Sequence, residues 1–284
     1  MPSPVDLTGQ PNDPLRNLPN PRSYDTSAND IVVDGVTGLA WQKAVPGETF
    51  TFAEAEQHCA DLDLGGRNDW RLPSRIELVS LVDFTGSRVG NVDDVAFPDA
   101  PDAPIWSCSD SPVNPLFGWI VDFRHGNAGA SEKTVGHLVR CVAGATTFTP
   151  PPDRYAHEAP GEARDVDTGL VWQTSAAPHG LTWGGAYDFC RTLGPEWRIP
   201  TAPELQTLID ESHVEAAVDR STFDNPDDFY WTSSLFDGSA SIAWFVSIGE
   251  GNTFWLAGDQ LPVPAIVRAP GVRGPAAAVL RPLN

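Results

Sequence analysis

Lysine is nearly missing from this 284-residue chain: Lys43 and Lys133 are the whole complement, and 18 basic residues face 38 acidic ones for a net charge of −20. A chain so negative repels a phosphate backbone, which excludes nucleic acid as the expected partner. No stretch approaches 18 consecutive apolar residues, so the sequence contains no candidate membrane-spanning helix. The six histidines form no HxH, HxxxH or HExxH pattern, which removes the short zinc motifs. The four cysteines, Cys59, Cys108, Cys141 and Cys190, form no CxxC pair, which removes the thioredoxin and zinc-ribbon spacings. G-x-S-x-G, P-loop and G-x-G-x-x-G turns are also missing. No local motif argues for an enzyme, although active sites also assemble from distant segments.

Against these gaps stand 25 glycines, 27 prolines and an apolar content of 41%. That much apolar material builds cores, and that much glycine and proline implies short elements joined by many turns. The length suits about two domains. Four widely spaced cysteines in an acidic, tryptophan-rich chain fit an exported protein with one or two disulfides. Met1-Pro2-Ser3-Pro4 has neither a basic nor an apolar signal region, so the expectation is an extracellular or cell-surface protein whose signal peptide has been removed. Residues 1–28, with six prolines, read as an extended tether.

A tandem repeat organises the remainder. Val36-Thr37-Gly38-Leu39-Ala40-Trp41-Gln42 recurs as Asp167-Thr168-Gly169-Leu170-Val171-Trp172-Gln173, an offset of 131 that also relates Cys59 to Cys190. Asp69-Trp70-Arg71-Leu72-Pro73 recurs as Glu196-Trp197-Arg198-Ile199-Pro200 at offset 127. Trp106-Ser107-Cys108-Ser109, Trp119–Phe123 and Gly126-Asn127 recur at offset 125 as Trp231-Thr232-Ser233-Ser234, Trp244–Ile248 and Gly251-Asn252. Leu138-Val139-Arg140-Cys141 then aligns with Val279-Leu280-Arg281-Pro282 at offset 141, which requires an insertion near 256–278. The expected domains are 29–145 and 160–284, joined by a proline-stiffened linker over 146–159.

Each copy reads as α+β: two helices followed by a small, loop-rich antiparallel sheet. Phe52, Ala55, Cys59 and Leu62 lie on one helical face, and Thr51 with Glu54 forms a capping box. A second helix starts at Ser74 with Glu77, and its counterpart at Thr201 with Glu204. Glu77 and Glu204 are therefore structural, closing helix ends, and Arg71 and Arg198 anchor loops through hydrogen bonds or a carboxylate partner. Eight tryptophans recur in pairs, including Trp41 with Trp172 and Trp70 with Trp197, and reuse of one ring at one place predicts core packing.

Ligand candidates come from what does not repeat. Trp255 faces Ala130 in the alignment and follows the Gly251-Asn252 turn, beside the inserted segment. An exposed indole there could stack on a sugar ring, with Asn252 beside it. Asp224, Asn225, Asp227 and Asp228 crowd hard oxygen ligands into one loop, where Asp224, Asp227 and Asp228 could hold calcium. Cys59 on the first helix and Cys141 on the last strand of the first copy are expected to form a disulfide that closes the domain. Cys190 keeps the helix position of Cys59 but Pro282 stands where its partner is expected, and Cys108 faces Ser233; these two either pair with each other or stay free.

In order along the chain, T-G-L-x-W-Q, a cysteine-bearing helix, D-W-R-L-P, S/T-x-x-E-L, W-S-x-S, W-x-V-D-F, G-N and V-R-C-V resemble the C-terminal domain of the bacterial collagen-like adhesin. The resemblance covers most of both copies. It implies a C-type-lectin-like fold related to the formylglycine-generating enzyme, and a surface-exposed binding role. Sulfated glycans are the ligands of the adhesin that names the family, but a chain with two lysines lacks the cations for a polyanion. The expectation is a non-catalytic adhesion or binding module for a neutral glycan or a surface protein. A formylglycine-generating-type enzyme, which needs a reactive cysteine pair, and a protein-interaction scaffold are the alternatives.

Overall fold

The computed structural model describes residues 23–35, 37–84, 92–111, 113–144, 153–166, 169–177, 180–210, 218–224, 229–236, 242–248 and 251–257, together with the backbone of 267–268 and 272–273. The backbone alone is described from Trp255 onward. The protein is α+β and divides into two compact units, one within residues 22–148 and one within 149–279.

The first unit opens with β1 (Tyr24–Asp25), β2 (Ile31–Asp34) and β3 (Ala40–Gln42), then α1 (Phe52–Ala60), β4 (Trp70–Arg71) and α2 (Arg75–Leu81). The hairpins β5 (Pro104–Asp110), β6 (Phe117–Asp122) and β7 (Asn127–Glu132) follow, and β8 (Val142–Ala143) closes the unit. One sheet has the order β1-β2-β3-β8-β4 and the other β5-β6-β7. The early strands are therefore sealed by the last one, a sheet that the reading of two helices followed by strands did not anticipate.

The second unit repeats the plan with β9 (Tyr155–Ala159), β10 (Glu162–Asp165), β11 (Val171–Gln173), α3 (Trp183–Leu193) and α4 (Ala202–Gln206). It continues through β12 (Phe229–Leu235), β13 (Ile242–Ser247), β14 (Thr253–Ala257), β15 (Val267–Arg268) and β16 (Val272–Arg273). Its sheets have the orders β16-β11-β10-β9 and β14-β13-β12-β15. The sheets are not purely antiparallel, because β15 runs parallel to β12 and Leu138 bridges Ile105 in the same sense.

Strand pairing corrects three expectations. Tyr24 and Asp25 pair with Asp34 and Val33, so β-structure begins inside the stretch read as a tether. Tyr155–Ala159 likewise forms a strand inside the stretch read as a linker. The closing strand of the second copy is also misplaced in the alignment. Val142 pairs with Trp41 in the first copy, and Val272 pairs with Trp172 in the second. The offset is thus 130 and not 141, and the insertion shrinks to about five residues beyond the hairpins' 125. Residues 279–282 lie outside the described residues.

Sequence dictates the local frame twice over. Thr51 with Glu54, Ser74 with Glu77 and Thr201 with Glu204 are capping boxes, in which the carboxylate takes the backbone N–H of the capping residue. Gly126 and Gly251 turn the last hairpin of each copy at φ 77° and 75°, a region other residues enter at a cost. Trp41, Trp70, Trp106, Trp119, Trp172, Trp231 and Trp244 are buried as expected, whereas Trp197 is half-exposed. Trp183 joins the core and donates to the Thr232 carbonyl at 2.8 Å. The disulfide Cys59–Cys141 forms, spanning 82 residues with 5.4 Å between Cα atoms.

Candidate functional site

The two Arg–Glu pairs are framework. Arg71 grips Glu77 through both terminal nitrogens at 2.8 and 2.7 Å, and Arg198 grips Glu204 the same way at 2.7 Å each. Each glutamate also accepts the backbone N–H of its helix cap at 2.8 Å, so both carboxylates are occupied within the fold. Ser107 and Thr232 donate to the carbonyls of Trp119 and Trp244, locking the central hairpin identically in both copies.

Cys108 and Cys190 are free thiols. Cys190 has no exposed surface, and burial pushes its thiol up to about 12. Cys108 is exposed on β5.

Among the expected ligand residues, Asn225, Asp227 and Asp228 lie outside the described residues. Asp224 is exposed, accepts the Ser175 hydroxyl at 2.6 Å and donates its amide to the Thr174 carbonyl at 2.9 Å. Asn252 belongs to the β13–β14 turn, where its carbonyl accepts the Ser247 amide at 2.8 Å. Trp255 lies within β14, paired in register with Trp244. Among the described residues, Asp224 contacts Ser175 and Thr174 while Asn252 holds the β13–β14 turn, so these two serve different parts of the unit.

The copies diverge instead on one face of the central sheet. Phe245 on β13 stands opposite Trp231 on β12 and Phe254 on β14, with Phe229 diagonal to it. Phe245 and Phe254 stack at 5.5 Å between ring centroids, and Phe229 meets Phe245 edge-on at 5.6 Å. The strip starts against the core that includes Trp183 and Trp231 and runs outward to Phe254, which is 38% exposed. Offset 125 places Pro104, Ile120 and Gly129 at these positions in the first copy, so the aromatic strip belongs to the second alone. The sequence signal for it was present as Phe at 229, 245 and 254, but only strand register brings the three together.

A second difference lies under β11. A small, half-open cavity there is bordered by Trp172, Gln173, Thr174, Phe223, Asp224 and the apolar side chains of α4 and its neighbours. In the first copy Gln42 and Lys43, the counterparts of Gln173 and Thr174 at offset 131, hold a side chain. Arg140, 1% exposed, donates Nη1 to the carbonyls of Gln42 and Lys43 at 3.0 and 3.1 Å, and its guanidinium lies 4.4 Å over the Phe97 ring. Burial pulls the Arg140 guanidinium down to about 10.

The family model for the Lcl C-terminal domain matches this chain twice, over residues 30–143 and 161–265. No curated protein matches it.

Proposed function

Because the chain belongs to the Lcl C-terminal domain family, we propose that it is a non-catalytic extracellular or cell-surface binding module, built from two C-type-lectin-like domains, that recognises a neutral glycan or a protein surface through its second copy. The observation that carries this reading is the strip Phe229–Phe245–Phe254, which the first copy replaces with Pro104, Ile120 and Gly129. Duplication has kept the buried frame and changed what is presented, the pattern expected when one copy holds the fold and the other meets a ligand. Aromatic faces stack on the C–H faces of sugar rings and on apolar side chains without needing charge, which suits a chain of net charge −20.

The cysteines argue against the formylglycine-generating alternative. Cys59 and Cys141 are joined in a disulfide, and Cys190 is buried with its thiol held protonated, so neither supplies the reactive thiol that such an enzyme needs.

A neutral-glycan array probed with the labelled chain tests the proposal. Retention of a glycan, with at least tenfold weaker binding of Phe254→Ala, is expected. A Phe254→Ala protein that is folded and binds as tightly as the parent removes the strip from the site. An array with no retained glycan leaves the protein-surface arm, read by the same substitution in pull-downs from cell-surface protein extracts.

A further inference from the structure

From two turns at one end of the β5-β6-β7 sheet we infer that the first copy carries a docking surface for a basic, apolar segment of a partner polypeptide. Among the described residues eight large apolar side chains are exposed, and three of them, Val113, Leu116 and Val135, belong to these two turns. Val113 and Leu116, in the β5–β6 turn, are 61% and 70% exposed, and Val135, just after β7, is 41% exposed. Single exposed apolar residues need no account, but a group of three does. The second copy has a connection of the same length between β12 and β13, and its sequence puts Gly238 and Ser241 where the first has Val113 and Leu116. Both apolar residues are peculiar to the first copy.

The turns are tied to each other and to the first helix. The Asn114 side chain accepts the Leu116 amide at 3.0 Å, and its backbone carbonyl accepts the Phe117 amide at 2.9 Å. Ser111 closes that turn by donating its amide to the Phe117 carbonyl at 3.0 Å. The Leu116 carbonyl accepts the Lys133 amide and the Glu132 carbonyl accepts the Val135 amide, both at 2.9 Å. The Lys133 carbonyl in turn accepts the amide of Phe52, the first residue of α1, at 3.0 Å. A surface held this way is ordered before a partner arrives, so little further ordering entropy is lost on docking.

Charge selects the occupant. Lys133 is the one basic residue in the two turns, and its charge is already matched: its Nζ lies 2.5 Å from an Asp110 carboxylate oxygen and 4.7 Å from the centre of the Phe52 ring. Glu132, exposed beside it, and Glu54, the exposed carboxylate of the α1 capping box, leave the surroundings net negative. A second copy would bring the same carboxylates and another net charge of −20, and an anionic membrane would be repelled likewise. Aliphatic side chains offer a sugar ring no aromatic face to stack on. What fits is a polypeptide segment whose apolar side chains cover Val113, Leu116 and Val135 while flanking lysines or arginines meet Asp110, Glu132 and Glu54. This surface lies on the other copy from the aromatic strip, and either can fail without the other.

Selection of a random peptide display library against the full chain tests it, followed by titration of the enriched peptides. Peptides weakened by Phe254→Ala belong to the strip and are set aside. Among the rest, a class with apolar residues next to lysine or arginine is expected, with dissociation constants on the order of 10 to 100 micromolar. Leu116→Ser, a change at an exposed residue, should weaken that class at least tenfold with the unfolding midpoint unchanged, and Val113→Ser at least threefold. Glu132→Gln should weaken it at least twofold and flatten its dependence on salt. If no peptide is sensitive to Leu116→Ser, or if the sensitive class has no basic residues, the inference is overturned. Two further outcomes overturn the choice of occupant. Self-association in sedimentation that Leu116→Ser abolishes assigns the surface to a second copy, and binding to phosphatidylcholine vesicles that it abolishes assigns the surface to lipid.

Discussion

Glu204 has no exposed surface and receives both terminal nitrogens of Arg198 at 2.7 Å while accepting the Thr201 amide at 2.8 Å. Its twin Glu77 accepts the Ser74 amide and both terminal nitrogens of a more exposed arginine, Arg71 being 30% exposed at the side chain against 11% for Arg198. Removing one partner of a buried pair strands the other charge, so Glu204→Gln should cost about 3–5 kcal/mol. Solvent can repair the first copy in part, and Glu77→Gln should cost about 1–3 kcal/mol. Arg198→Lys should not restore stability, because one ammonium cannot make a two-pronged contact. Chemical denaturation of the three variants checks the order.

The cysteines give a second expectation. Reduction of Cys59–Cys141 releases a loop of 82 residues, which the chain-entropy relation values at about 4.5 kcal/mol, lowering the midpoint of the first unit. In the unreduced protein, iodoacetamide should label Cys108 readily and Cys190 only after unfolding, since Cys190 is buried and its thiol is pushed up to about 12. Mass spectrometry of native and denatured samples reads both. Labelling of Cys190 in the native state contradicts the packing of α3 described above.

Acid should weaken the first unit through His137. Its ring packs edge-on against Trp106 at 4.7 Å and its Nε2 lies 2.8 Å from the Ser131 hydroxyl. Partial burial lowers its pKa from 6.5, opposed by the negative charge of Asp122. The unfolded chain therefore binds this proton more readily than the folded one. The stabilisation is complete above about pH 6.5 and is lost as pH falls through the lowered folded value. Thermal melts of parent and His137→Asn between pH 7.5 and 5 should diverge most at the upper end and converge at the lower. Parallel curves exclude His137 as the source.

How much of this was legible in the sequence follows from the range of each signal. Helix starts were readable because a capping box is four residues long: Ser74 and Glu77, or Thr201 and Glu204, carry the whole instruction. The tryptophan core was readable because duplication printed it twice. The closing strand was not, since Val267-Arg268, Val272-Arg273 and Val279-Leu280-Arg281 offer similar letters and only pairing with Trp172 selects one. The aromatic strip depends on the register of three strands separated by loops.

Tyr24 tests whether the first strands are integral to each unit or merely precede it. Its ring meets Phe97 edge-on at 5.5 Å, as Tyr155 meets Phe223 at 5.1 Å, so the same aromatic pair ties strand one to the core in both copies. Phe97 also underlies Arg140, which means that loss of the tyrosine loosens the ring on which a buried cation rests. Truncating a half-buried aromatic in such a pair removes apolar burial and an edge-to-face contact, together about 2–3 kcal/mol. Tyr24→Ala should lower the midpoint of the first unit by that amount, and Tyr24→Phe, which keeps the ring, by less than about 1 kcal/mol. If Tyr24→Ala melts like the parent, residues 24–25 are an appendage, and the domain begins where the sequence repeat first suggested.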